Sequence, residues 1–195
     1  MKRDVILETA ARLFVQNGYT RTSTLLLAQE AGVAEGTIFR HFKSKEDLFI
    51  ALILRLRETM VKEVVKYLDM QQDESGIDHI ISTLKACLIF VKQSDPDFAL
   101  LLRDAPSCYG ESDSRAFELV KVIFDLLSEH FAKNIRRGQM EGNIRADLHP
   151  EDTACILTAS MVGLMRSMHL GFLHTSDAII ENYLLCNRFM LKANV

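Results

Sequence analysis

A chain of 195 residues with 48% apolar content can bury one large core or two small ones. No apolar run approaches the roughly 20 residues of a membrane span, and no basic start followed by an apolar stretch marks a secretory leader, so the expected setting is the cytoplasm. The net charge of −3 argues against indiscriminate adhesion to nucleic acid, but the charge is uneven: residues 1–60 hold nine Lys/Arg against seven Asp/Glu, and the remainder fourteen against nineteen. A mildly basic head on an acidic body fits local phosphate contact.

The periodicity predicts helix almost throughout. Residues 2–16 carry an apolar stripe of Ile6, Ala10, Leu13 and Phe14, and Asn17-Gly18 ends it. Lys2 and Arg3 lie outside the stripe and are either solvated or reach toward a flanking groove. Tyr19 is expected as a partly buried anchor on this first helix. Thr22 and Ser23 suit the start of a second helix, either as caps or as phosphate contacts. Leu27, Ala28 and Ala31 repeat at helical spacing until Gly32, which takes a positive φ at no steric cost and turns the chain. A third short helix runs from Glu35 to about His41, with Ile38 and Phe42 placed to face the second. Two short helices joined by a tight turn are either an ordinary packed pair or a helix-turn-helix whose second member enters the DNA major groove.

The residues Gly18-Tyr19, Thr22-Ser23, Leu27-Ala28, Ala31-Gly32-Val33, Gly36-Thr37-Ile38-Phe39, His41-Phe42 and Ser44-Lys45-Glu46-Asp47-Leu48 closely resemble the DNA-binding domain of TetR-family regulators. The resemblance covers roughly the first fifty residues. It implies an all-α protein, with a three-helix DNA-binding domain at 1–47 and a larger helical ligand-binding and dimerisation domain at 48–195. It further implies a homodimer through the two C-terminal helices, an inverted-repeat operator on double-stranded DNA, and release by a small-molecule effector. No cofactor and no membrane partner are expected. The alternative is a regulator that needs no ligand or answers to a protein partner. The DNA-contacting set is then Thr22, Ser23, Glu35, Gly36, Thr37, Phe39, Arg40, His41, Lys43 and Lys45. In it, Arg40 suits guanine O6 and N7, Thr37 a phosphate or thymine methyl, and Glu35 a cytosine amine or a charge kept clear of phosphates. Lys45 matches the family's phosphate-binding lysine. Ala34 stands where the family has a capping Ser or Thr, and Phe39 where a Tyr is common.

Ser44 is expected to cap the fourth helix, with Asp47 completing a box, and that helix runs to about Asp69. Further helices are expected over 77–92, after Pro96, over 115–138, from Pro150 to Leu170 and from Ser176 to Lys192, with a loop over 104–113. Gly142-Asn143-Ile144-Arg145 resembles a recurrent family connector. Small residues such as Ala159, Ser160 and Gly163 permit close helix approach.

The candidate effector site draws its apolar lining from Phe90, Phe98, Leu101, Phe117, Phe124, Met161, Met165 and Met168, residues that equally suit a plain core. Arg103, Tyr109, Arg166 and His169 are its candidate polar anchors. Cys87, Cys155 and Cys186 sit in apolar helical surroundings and are expected to be buried thiols, whereas Cys108 lies in a turn. No cysteine pair has zinc spacing, no E-x-x-H pairs mark a helical di-metal enzyme, and His169, His174 and Asp177 are a weak metal cluster.

Overall fold

The computed structural model describes residues 2–69, 75–93, 115–174 and 176–193. Among them the chain forms eight helices: α1 Lys2–Asn17, α2 Thr24–Glu30, α3 Glu35–His41, α4 Lys45–Asp69, α5 Gly76–Gln93, α6 Arg115–Met140, α7 Pro150–His169 and α8 Asp177–Leu191. No described helix is long and apolar enough to cross a membrane. Contacts group the chain into two units, Met1–Glu58 with Ser94–Lys121, and Thr59–Gln93 with Val122–Val195. The expected helix after Pro96 and the loop over 104–113 lie outside the described residues.

In the first unit α1 ends where expected, at Gly18, which takes φ 85° and donates its N–H to the Phe14 carbonyl at 2.8 Å. Tyr19 then packs back: its ring centroid lies 5.3 Å from Phe14 and 5.1 Å from Phe49 on α4. α2 closes at Gly32, φ 64°, and the Val33 N–H returns to the Ala28 carbonyl at 3.0 Å. Ile6, Phe14, Leu27, Ile38, Phe42, Leu48 and Phe49 are all buried, so the first four helices share one core. At the head of α4 the Asp47 N–H donates to Ser44 Oγ at 3.0 Å, as a cap should, while the Asp47 carboxylate pairs with Arg115 at 3.3 Å.

The second unit buries one side each of α5, α7 and α8, through Ile80, Leu84, Leu88, Leu157, Met161, Ile180 and Leu184. α5 and α8 run antiparallel, laced by Lys92–Asp177 at 2.6 Å, Lys85–Glu181 at 3.3 Å and Arg188–Asp78 at 2.7 Å. These pairs are exposed enough to fix register more than to add stability.

The connector 142–145 joins three helix ends. Gly76 and Gly138 meet backbone to backbone, and a Cβ on Gly76 would stand 2.4 Å from the Gly138 nitrogen. Glu141 Oε2 accepts the Gly76 N–H at 2.7 Å and Asn143 Oδ1 accepts the Ile77 N–H at 3.4 Å, so both serve the open amides at the start of α5. The Gly76 N–H, then Asn143 and Arg137, hold the Glu141 carboxyl down at about 2. Arg145 N–H donates to the Leu191 carbonyl at 3.0 Å and Ala193 N–H to Asn143 at 3.1 Å, which fastens the end of α8.

Candidate nucleic-acid interface

α3 is seven residues long and anchored on one side by Ile38, which is fully buried. Its other residues divide cleanly. Gly36, Arg40 and His41 are exposed, Thr37 and Glu35 are half-buried, and Phe39 leaves 47% of its surface in solvent. A large aromatic with that exposure on a seven-residue helix is not serving the core. Gly36 carries a similar message. Glycine inside a helix costs about 1 kcal/mol against alanine, yet a Cβ there would meet nothing within 4 Å. Among the described residues nothing calls for its lack of a side chain, which suits close approach from outside.

The start of α2 differs in detail from the sequence expectation. Ser23 is the cap: its Oγ accepts the Leu26 N–H at 3.1 Å. Thr22 does not cap. It is fully buried and its hydroxyl donates to the Gly18 carbonyl at 2.9 Å and the Leu13 carbonyl at 3.2 Å. This hydroxyl pins the turn to α1, because a buried hydroxyl must find its acceptor inside.

Lys45 also turns inward. Its ammonium donates to the carbonyls of Tyr19 at 3.0 Å, Thr22 at 3.2 Å and Thr20 at 3.4 Å, and lies 4.5 Å from the centre of the Tyr19 ring. An ammonium has three protons to donate, so three carbonyls engage all of them. In this arrangement the lysine holds the loop before α2. Lys43 is exposed. Arg3 stacks over the Phe42 ring with its guanidinium carbon 5.2 Å from the centroid. The sequence reading missed Thr24, whose Oγ1 donates to Glu35 Oε1 at 2.7 Å. The two residues are eleven positions apart, and only the turn at Gly32 brings them together.

α7 presents a different surface. Met161, Met165 and Met168 are buried on one side. Arg166 and His169 are exposed. Phe90 and Phe124 are half-buried in the same unit, and Phe117 belongs to the first. Phe98, Leu101, Arg103 and Tyr109 lie outside the described residues, as does Cys108. Asp177 is engaged by Lys92, and among the described residues no three His, Cys, Asp or Glu gather as metal ligands.

The outward faces of α7 and α8 are apolar: Ile156 is 59% exposed and Phe189 70%, joined by Val162, Leu185 and Met190. Gly163 lies among them, and a Cβ there would meet nothing within 4 Å. Cys155 and Cys186 are exposed on these helices, which corrects the expectation that they are buried; apolar periodicity marks both faces of such a helix and does not say which one the chain itself covers. Cys87 is buried as expected, and burial pushes its thiol up to about 12.

Residues 6–52 match the description "Bacterial regulatory proteins, tetR family". The chain is 29% identical over 153 residues to the HTH-type transcriptional repressor AcnR of Corynebacterium diphtheriae, spanning 76% of this chain and 73% of AcnR. It belongs to the TetR family. As a TetR-family protein it is a DNA-binding transcriptional regulator, and α2, the turn at Gly32 and α3 are its helix-turn-helix. Over a longer stretch it is 25% identical to a nucleoid occlusion factor, SlmA, from a Marinomonas species, across 165 residues, covering 85% of this chain and 81% of that one. The TetR-family fold recurs in the solved structure of AibR in complex with isovaleryl coenzyme A and operator DNA, at a TM-score of 0.75 and 16% identity with both chains fully covered.

Proposed function

We propose that the protein represses transcription as a homodimer on an inverted-repeat operator and is released by a small amphipathic or apolar ligand. The observation that carries this reading is the pair of surfaces that the described residues leave uncovered. One is the face of α3, with Gly36, Thr37, Phe39, Arg40 and His41 outward. The other is the apolar side of α7 and α8 around Ile156, Gly163 and Phe189. A two-fold dimer through the second surface offers two copies of the first, and two copies read a palindrome. Arg40 then takes guanine, Thr37 and Phe39 take methyl or sugar surface, and Ser23 and Lys43 approach phosphates. Gly36 lets the helix backbone come close.

For the ligand, the solved relative that holds isovaleryl coenzyme A makes short acyl thioesters the first class to test. The buried Met161, Met165 and Met168 supply an adaptable apolar wall. The test is a mobility-shift titration on DNA upstream of the protein's own gene, with and without a panel of acyl-coenzyme A esters. The expected result is a specific complex that one chain-length class dissociates. A complex indifferent to every ester and to a broader set of amphipathic molecules overturns ligand release. In that case the second reading, control by a protein partner, takes its place.

A further inference from the structure

Thr24 is the first residue of α2 and Glu35 the first of α3. The 2.7 Å hydrogen bond from Thr24 Oγ1 to Glu35 Oε1 is partly buried, so it ties the carboxylate of one helix to the first side chain of another. A glutamate at the end of a seven-residue helix otherwise samples several rotamers, and fixing it on binding costs entropy. Here it is fixed beforehand. Among the described residues its second oxygen, Oε2, is left open, and the neighbouring Gly36 has no side chain to shield it.

A carboxylate only accepts hydrogen bonds, and it is repelled by phosphates. In the major groove the groups that can satisfy it are exocyclic amines, N4 of cytosine and N6 of adenine. Adenine sets the acceptor N7 beside N6, so a lone pair would face the carboxylate. Cytosine has a carbon beside N4 and offers no such conflict. Guanine and thymine present acceptors at the matching edge, which would leave a desolvated carboxylate against a like partial charge. The pair therefore acts by exclusion as much as by attraction.

We infer that Glu35, held by Thr24, is a specificity-determining residue that selects a cytosine at one symmetric position of each half-site. Resting on the reading of α3 as the groove-entering helix, the inference adds which base that helix demands and which residue on α2 enforces it.

The test is selection by the full-length protein from a randomised duplex library, read by sequencing, for the wild type and three variants. The wild type is expected to enrich an inverted repeat with cytosine at one symmetric position. Glu35→Gln keeps the shape but gives the side chain a donor, and an amide pairs with adenine N6 and N7, so preference at that position should move from cytosine to adenine. Thr24→Val removes the hydroxyl and should lower discrimination at that position by roughly tenfold. Its salt dependence should stay unchanged, since no phosphate contact is lost. Thr24→Ser retains the donor and should keep the wild-type preference, which separates positioning from a general loss of packing. Glu35→Gln enriching the wild-type bases at every position would overturn the assignment while leaving the groove-entering helix intact. Undiminished discrimination by Thr24→Val would overturn the positioning role. A wild type that enriches no symmetric site would overturn the helix reading itself.

Discussion

Ala34 precedes α3 with φ −69° and ψ 144°, close to the −83° and 155° of Ser23 before α2, yet no side-chain hydrogen bond caps it. The backbone is already in the capping conformation and only the hydroxyl is missing. Ala34→Ser is therefore expected to stabilise the protein by about 1 kcal/mol, seen as a rise of a few degrees in a thermal melt. An unmoved melt would mean that water already satisfies those amides. Lys45 leads to a prediction opposite to the one its sequence position suggests. Lys45→Ala should loosen the loop at Tyr19–Thr22 and lower both the melting temperature and operator affinity, with an unchanged salt slope. A slope reduced by about one per half-site would return the lysine to a phosphate. His130 supplies a pH test. Its ring lies 5.3 Å from that of His79, with Thr83 Oγ1 3.1 Å from Nε2. Burial first, then the charges of His79 and Lys133, lowers its pKa to about 4. Unfolded, it titrates near the ordinary 6.5. Between these values the unfolded chain binds the extra proton, so this stability is fully present above 6.5 and is lost as pH falls toward 4. His130→Gln should flatten that fall in melting temperature; an equally steep fall would assign it to other groups. Residue roles were only partly legible in the sequence. The Thr22-Ser23 pair announced a helix start, but which hydroxyl caps and which is buried depends on the turn at Gly18 packing against α1. Lys45 and Tyr19 are 26 positions apart in sequence, and no local pattern marks such a contact.

The elements themselves were legible because apolar residues recur at helical spacing and are punctuated by Gly18, Gly32, Ser44, Pro150 and Ser176, each of which acts through its own local geometry. What periodicity cannot assign is ownership of a face. α7 is apolar on two sides, one covered by its own chain through Leu157, Met161 and Met165, the other exposed through Ile156 and Val162. That ambiguity put Cys155 and Cys186 on the wrong side. Two glycines test the distinction. A side chain at Gly163 meets nothing among the described residues, so Gly163→Leu should leave the protein folded but prevent close approach of a second α7. Sedimentation is expected to show a monomer with a near-native melt. A dimer retained by Gly163→Leu would move the interface elsewhere. At Gly76 the neighbouring atom is backbone at 2.4 Å, which cannot swing aside. Gly76→Ala should cost about 1–3 kcal/mol through overpacking at the connector, and an unchanged melt would show that α5 can slide there freely.

At the scale of the whole molecule, α4 is one continuous helix of 25 residues, roughly 37 Å long. It contributes residues to both units. A ligand can shift the balance only by its differential affinity for the two arrangements, and a hundredfold loss of operator affinity needs about 2.7 kcal/mol of coupling. Burial of roughly 100 Å² of additional apolar surface in the released state is enough at about 25 cal/mol per Å². All of this presupposes a dimer that sets two copies of α3 one DNA turn apart, roughly 34 Å. The most direct measurement is a footprint on DNA upstream of the protein's own gene, with the stoichiometry of the complex determined in parallel. The account predicts a symmetric protected site whose half-sites are centred about one helical turn apart, filled by whole dimers. It predicts too that the monomeric Gly163→Leu variant fails to protect that site at concentrations where the wild type saturates it. Protection of a single asymmetric half-site by a monomer, or equal protection by Gly163→Leu, would contradict it.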